Sequence, residues 1–296
     1  FVVETTKYYK HLALVCSALH GTGVTQVNFT GLRYFGTREQ GASTLHNGEL
    51  SLTRNLTVPR IGPPLDADDT PRRDRLVVEY NTSVNPTENG VVKDTSGHGW
   101  DANFYGSSAY DASEKAITLS DGTDDYLETG KIINGYSGDI DHTFALWVKP
   151  SKIDMVSGNH YLAVLGSETA QNKWCAIAIS AKHLSHIVHS SIEIASDTEL
   201  VPETWQHIAI SYTSGGSIHS NVHMDYYIDG EKYTGSFTGG GSQYGGTSYT
   251  IDLVGPLSVR LGSLHNGTED AASSISNFKL YDVALTAGEV RRLYDM

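Results

Sequence analysis

The residues of this chain that could do chemistry are its histidines, cysteines, carboxylates and tyrosines, and their spacing decides what they can do. His183, His186 and His189 recur at every third position, and His219 and His223 stand four apart. Zinc needs such imidazoles to converge on one point. The residues around the first three, Ile187, Val188, Ser190 and Ser191, read as a strand, which sends successive side chains to opposite faces. The expectation is therefore histidine that lines a sheet or its surface. Glycoside hydrolysis needs an acid and a nucleophile flanking one bond, yet Glu193 is isolated in Ser191-Ile192-Glu193-Ile194 and Asp225 stands alone before Tyr226. Serine and cysteine nucleophiles lack a recognisable elbow, and no phosphate-binding glycine loop precedes a helix. Cys16 and Cys175 allow at most one bridge, and both lie in apolar strand-like runs that suit buried free thiols. Tyr126, Tyr136, Tyr226, Tyr227, Tyr233, Tyr244 and Tyr249 carry amphipathic rings that fit either strand faces or stacking on sugars. Acceptor triplets for N-glycosylation begin at Asn28, Asn55, Asn81 and Asn266.

The elements that must position these groups are strands. Thirty Gly and seventeen Tyr, spread with Thr and Ser through short alternating runs, favour strands and tight turns. Phe144, Leu146 and Val148 alternate, as do Ile208, Ile210 and Tyr212, then Leu257, Val259 and Leu261, then Phe278 and Leu280. Asp229-Gly230 supplies the positive φ angles of a type I′ hairpin turn. Only Thr286 to Leu293 reads as a helix, with Thr286 as N-cap and Glu289 three residues on, as in a capping box. The expected fold is all-β: an antiparallel two-sheet sandwich, or jelly roll, over residues 76–296, with an additional N-terminal β segment. Trp147, Phe144, Leu146, Ile208, Ile210, Val259, Leu261, Phe278 and Leu280 form the expected core. Residues 1–37 hold two long strand-like runs. Residues 38–75 have the composition of a linker, with Pro59, Pro63, Pro64 and Pro71, and a short hairpin around Asn47-Gly48. Gly235 to Thr250 reads as a long Gly/Ser/Thr/Tyr-rich surface loop.

Twenty-one Lys and Arg against thirty-four Asp and Glu give a net charge of −13. The acidity is concentrated after residue 75 and would repel a phosphate backbone, which argues against nucleic acid as a partner. No run of 18 apolar residues exists to span a membrane. The chain begins at Phe1 without a signal peptide, as a processed protein or a piece of a longer polypeptide does.

A collinear series of segments runs through the larger part. It comprises Asp94-Thr95-Ser96-Gly97-His98-Gly99, Ala102 to Gly106, Asp121-Gly122-Thr123-Asp124-Asp125-Tyr126, Phe144 to Pro150, Trp205 to Tyr212, Tyr227 to Gly230, Leu261-Gly262, Ile275 to Tyr281 and Leu285 to Val290. In this order the series resembles the laminin-G-like, concanavalin A-like lectin and glucanase superfamily. Lys7 to Leu12 with Val27 to Gly36 resembles the final strands of a discoidin-like, galactose-binding-like jelly roll whose earlier strands are missing. The superfamily includes glucanases, lectins and adhesive modules; the Glu-x-Asp-x-x-Glu run of its glycosidases does not occur here. Family members hold calcium at the sandwich rim, which makes Asp94, Asp121, Asp124 and Asp125 the candidate calcium ligands. Two or three strands with an apolar face do not stand alone in water, so residues 1–37 are expected to pair with their own laminin-G-like domain or with a neighbouring copy, the latter giving an oligomer or polymer; the alternative is a module fragment whose upstream residues were cut away. The expectation is a non-enzymatic, extracellular, cell-surface or virion-surface structural glycoprotein that self-assembles by strand pairing. The alternative is a carbohydrate-binding adhesin with a glycan ligand.

Overall fold

The computed structural model describes residues 44–46, 49–51, 70–84, 87–88, 90–120, 124–130, 133–156, 158–166, 173–188, 192–215, 223–237, 251–264 and 270–296. The chain divides into two compact units, Phe1–Leu65 and Asp66–Met296. In the first, β1 (Thr44–His46) and β2 (Glu49–Ser51) pair antiparallel, with Leu45 opposite Leu50. The strand-pairing expectation for residues 1–37 falls outside the described residues.

The second unit is an antiparallel two-sheet sandwich of jelly-roll type. Its strands in chain order are β3 (Leu76–Tyr80), β4 (Thr87–Glu88), β5 (Val91–Val92), β6 (Ala102–Tyr105), β7 (Ala109–Asp111), β8 (Ala116–Thr118) and β9 (Tyr126–Glu128). There follow β10 (His142–Lys149), β11 (Asn159–Gly166), β12 (Trp174–Ser180), β13 (His183–Val188), β14 (Ile192–Glu199) and β15 (Gln206–Tyr212). The series ends with β16 (Met224–Ile228), β17 (Glu231–Tyr233), β18 (Gly235–Phe237), β19 (Val259–Leu261), β20 (Ser274–Tyr281) and then the helix α1 (Ala287–Tyr294). The first sheet runs β17-β16-β15-β10-β20-β8-β7, with β3 also paired to β20. The second runs β18-β14-β13-β12-β11-β19-β9-β6-β5-β4. Among the described residues no helix is long and apolar enough to cross a membrane.

The core lies between the sheets. Phe144, Leu146, Val148, Ile208, Ile210, Tyr212, Phe278 and Leu280 from the first sheet meet Leu127, Leu165, Cys175, Ile177, Ile179, Val259 and Leu261 from the second. Each fully buried aliphatic or aromatic side chain contributes about 1.5–3 kcal/mol. Eight of the nine expected core residues are there. Trp147 is not: it is only partly buried. Strand parity puts it with Ala145 and Lys149 on the outer face, because Leu146 and Val148 already point inward.

That outer face is itself partly covered. The α1 residues Val290 and Leu293 pack with Leu285, Leu76, Ala145, Ala209, Tyr227 and Tyr281 into a second apolar cluster. Its capping box is complete: Thr286 Oγ1 accepts from the Glu289 N–H, and Glu289 accepts from the Thr286 N–H at 2.8 Å. The β16–β17 turn has Asp229 at φ 51° and Gly230 at φ 77°, as a type I′ turn requires. One bulge shapes the face further. On β20 the register with β10 jumps from Ser276 opposite Trp147 to Lys279 opposite Ala145. Asn277, at φ 50°, takes up the slack. The extra residue lets both Ile275 and Phe278 point into the core, which unbroken alternation forbids.

Candidate functional site

Beside α1 the outer face of the first sheet opens into a groove built on Trp147. Trp147, Trp205, Glu114, Ser276 and Asn277 line an open groove of about 300 Å³. Trp147 and Asn277 also line an adjoining cavity of about 190 Å³, together with Glu79, Lys279, His207, Asn81 and Leu293. The Trp147 ring is held from two sides. Tyr294 of α1 stacks on it with centroids 5.6 Å apart, and His207 meets it edge-on at 5.6 Å.

The polar groups are fixed as firmly. Asn277 sits at the bulge in a left-handed conformation that few residues other than glycine adopt. Its amide oxygen accepts from Ser83 Oγ at 3.1 Å, and its amide nitrogen donates to the same hydroxyl at 2.9 Å. Glu79 is buried, accepting from Thr95 Oγ1 at 2.9 Å and pairing with Lys279 Nζ at 3.0 Å. His207 is 3 % exposed. Its backbone N–H donates to Asp229 Oδ1 at 2.9 Å, which ties the hairpin turn to β15. Burial, then the Lys279 ammonium, push its pKa down to about 3, so the ring is neutral. Its Nδ1 is buried with no hydrogen-bond partner among the described residues. In the open groove Glu114, Ser276 and the Asn277 amide bring polar groups beside the flat apolar surface of two indoles.

The expected metal ligands are placed differently. Asp94 accepts four hydrogen bonds, from the N–H groups of Glu79, Ser96 and Trp100 and from Ser96 Oγ, at 2.7–3.0 Å. It ties β3 to the following turn. Asp125 is buried and accepts from the Ser107 N–H and the Ser120 hydroxyl. Asp124 is exposed at φ 76°, its N–H donating to Asp270 Oδ2 at 3.1 Å. Asp121 lies outside the described residues. Among the described residues, the His, Cys, Asp and Glu atoms that converge in a set of three belong to His142, Cys175 and His186, inside the sandwich.

Of the expected aromatic residues, Tyr226 and Tyr227 are buried, whereas Tyr126, Tyr136 and Tyr233 are partly exposed. Tyr126 is covered by Tyr105, stacked at 4.5 Å, and by the Arg260 guanidinium at 4.0 Å. Tyr244 and Tyr249 lie outside the described residues, as do Asn28, Asn55 and Asn266. Asn81 is half-buried, its amide oxygen accepting from the Ser83 N–H at 3.2 Å, and it lines the cavity beside Trp147. Sequence reasoning missed the groove because Trp147 read as core and because Ser83 and Asn277 are distant in the chain.

The two antiparallel sheets form a lectin-like jelly-roll fold. Residues 121–291 match the family model of the concanavalin A-like lectin/glucanases superfamily. The match covers more than half of the chain, which belongs to that superfamily. No curated protein sequence matches it. Among solved structures it is similar to the ligand binding domain of botulinum neurotoxin serotype D in complex with N-acetylneuraminic acid: 15 % identity, TM-score 0.54, 75 % of this chain and 51 % of that one. The binding domain of Paraclostridial Mosquitocidal Protein 1 is similar at 16 % identity and TM-score 0.52, over 75 % of this chain and 52 % of that one. This chain thus spans about half the length of those toxin domains. Domain 4 of AbnA, an extracellular arabinanase from Geobacillus stearothermophilus, in complex with arabinotriose, is similar at 17 % identity and TM-score 0.50, over 74 % of this chain and 98 % of that one.

Proposed function

We propose that this domain is a non-catalytic carbohydrate-binding module of an extracellular or surface protein, and that its ligand lies in the Trp147–Trp205 groove. The observation that carries this reading is the groove itself. Two partly exposed indoles stand beside Glu114, Ser276 and Asn277, whose backbone is left-handed, in one open depression. Strained backbone at such a position is often part of a binding site. The sugars held by two of the similar structures favour this reading over a self-assembling structural subunit.

A glycan array followed by calorimetry on the best glycan tests this. Trp205→Ala is expected to lose about tenfold in affinity, equivalent to about 1.4 kcal/mol, with an unchanged melting temperature. Trp147→Ala is expected to lose more. An array without a hit, or both variants binding as the parent does, would sink the proposal.

A further inference from the structure

His142 at the start of β10 points into the sandwich from the first sheet, and His186 on β13 and Cys175 on β12 meet it from the second. All three are buried. His142 Nε2 lies 3.2 Å from His186 Nε2 and 3.6 Å from Cys175 Sγ, and the three atoms lie within 4.8 Å of one another. In the second sheet Ile177 is the register partner of His186 and Val188 that of Cys175, so the two ligands sit on a diagonal of the inner face.

Hydrogen bonding alone does not satisfy this cluster. His142 Nδ1 is 3.0 Å from the Ile140 carbonyl, which can only accept, so Nδ1 carries the proton and Nε2 a lone pair. That one lone pair faces both His186 Nε2 and Cys175 Sγ and accepts from one of them. His186 Nδ1 is buried without a partner among the described residues. Polar atoms placed so in a core call for an explanation.

A metal ion would relieve the competition for the His142 Nε2 lone pair, by taking one lone pair from each of the three side chains. With metal–nitrogen bonds of about 2.0–2.1 Å and a metal–sulfur bond of about 2.3 Å at tetrahedral angles, ligand atoms stand about 3.3 Å (N to N) and about 3.5 Å (N to S) apart. The two contacts made by His142 Nε2 match that spacing. The Ile140 carbonyl orients the His142 ring from behind, as outer partners of metal-binding histidines do. Two carboxylates, Asp139 and Asp141, precede His142 in the chain. Asp139 also accepts from Tyr212 Oη at 2.7 Å, and the Tyr212 ring lies against both imidazoles, with centroids 4.9 and 5.9 Å away.

We propose that His142, Cys175 and His186 form a zinc site that cross-links the two sheets inside the core. It is separate from the glycan groove, and neither reading depends on the other. On binding, the Cys175 S–H bond breaks, its proton goes to solvent, and the thiolate and two neutral imidazoles donate to the ion; nothing is oxidised or reduced.

The full chain, produced in zinc-supplemented medium and purified without chelator, is expected to carry one zinc per chain by elemental analysis. Reconstituted with cobalt(II), it should show a thiolate-to-cobalt charge-transfer band in the near ultraviolet. Cys175→Ala should lose both the stoichiometric zinc and the band while keeping its β-sheet circular dichroism. Cys16→Ser should keep both. His186→Gln should weaken zinc binding at least tenfold, and zinc should raise the melting temperature of the parent chain but not of Cys175→Ala. A parent chain that holds no zinc after production or reconstitution would overturn the proposal. So would a band that survives in Cys175→Ala and vanishes in Cys16→Ser.

Discussion

His207 is buried on the outer face of the first sheet beneath Trp147, and its protonation should be visible in stability. The folded ring has a pKa of about 3, because burial and the neighbouring Lys279 oppose its charge; the unfolded chain offers an ordinary imidazole near 6.5. Below pH 6.5 the unfolded state therefore binds a proton that the folded state refuses, and stability falls as pH falls toward 3. The expected loss from this residue between pH 7.5 and 5.5 is about 1.4 kcal/mol. Glu79, Lys279 and Asp229 are the charged groups placed around it. In urea titrations at the two pH values under chelator, His207→Gln should lose less stability than the parent by about that amount. Equal losses in both proteins would show that His207 is not held neutral.

At the scale of elements, α1 is a small helix with a large part in the groove. It is eight residues long, too short to be stable alone. It stays folded because Val290 and Leu293 are buried on the first sheet and its first turn is capped. Tyr294 braces Trp147, and Leu293 lines the cavity. Thr286→Ala removes the cap and should lower stability by about 1 kcal/mol, with a change in near-ultraviolet circular dichroism from Trp147. Thr286→Ser should restore both. If Thr286→Ala is as stable as the parent, the sheet rather than the cap holds the helix. The Asp229-Gly230 turn is under a similar constraint: a Cβ on Gly230 would lie 2.9 Å from Arg291 Cδ and 3.2 Å from Tyr294.

On the scale of the molecule, the apolar cluster between the sheets draws on strands from β3 to β20, all within Asp66–Met296. A fragment starting at Asp66 is therefore expected to fold by itself. It should give one cooperative thermal transition with the circular dichroism of a β-protein. An aggregated product, or a broad melt without a transition, would show that the first unit is required for the core. Its 15 Lys and Arg against 31 Asp and Glu give the fragment a net charge of −16, which favours solubility.

The sequence by itself determined what depends on neighbours in the chain. Alternation at Phe144, Leu146 and Val148 fixed an inward face, Asp229-Gly230 fixed a turn, and Thr286 with Glu289 fixed a cap; each rests on a few adjacent residues whose backbone preferences and side-chain parity leave little choice. Trp147 shows the limit. Parity sets it opposite Leu146 and Val148, and hydrophobicity alone wrongly assigns it to the core; only the packing of α1 and Tyr294 decides that it walls a groove. Asp94 shows another: the turn was legible in the sequence, but the four hydrogen bonds that tie it to β3 and to Ser96 and Trp100 are seen only in the fold. Spacing along β13 sends His183 and His186 to opposite faces, and the partner of His186 is His142, 44 residues away on the facing sheet. Pairings across a sandwich follow from how two sheets stack, and no local pattern encodes that distance. The groove and the buried cluster were therefore decided by tertiary structure, through contacts between residues far apart in the chain.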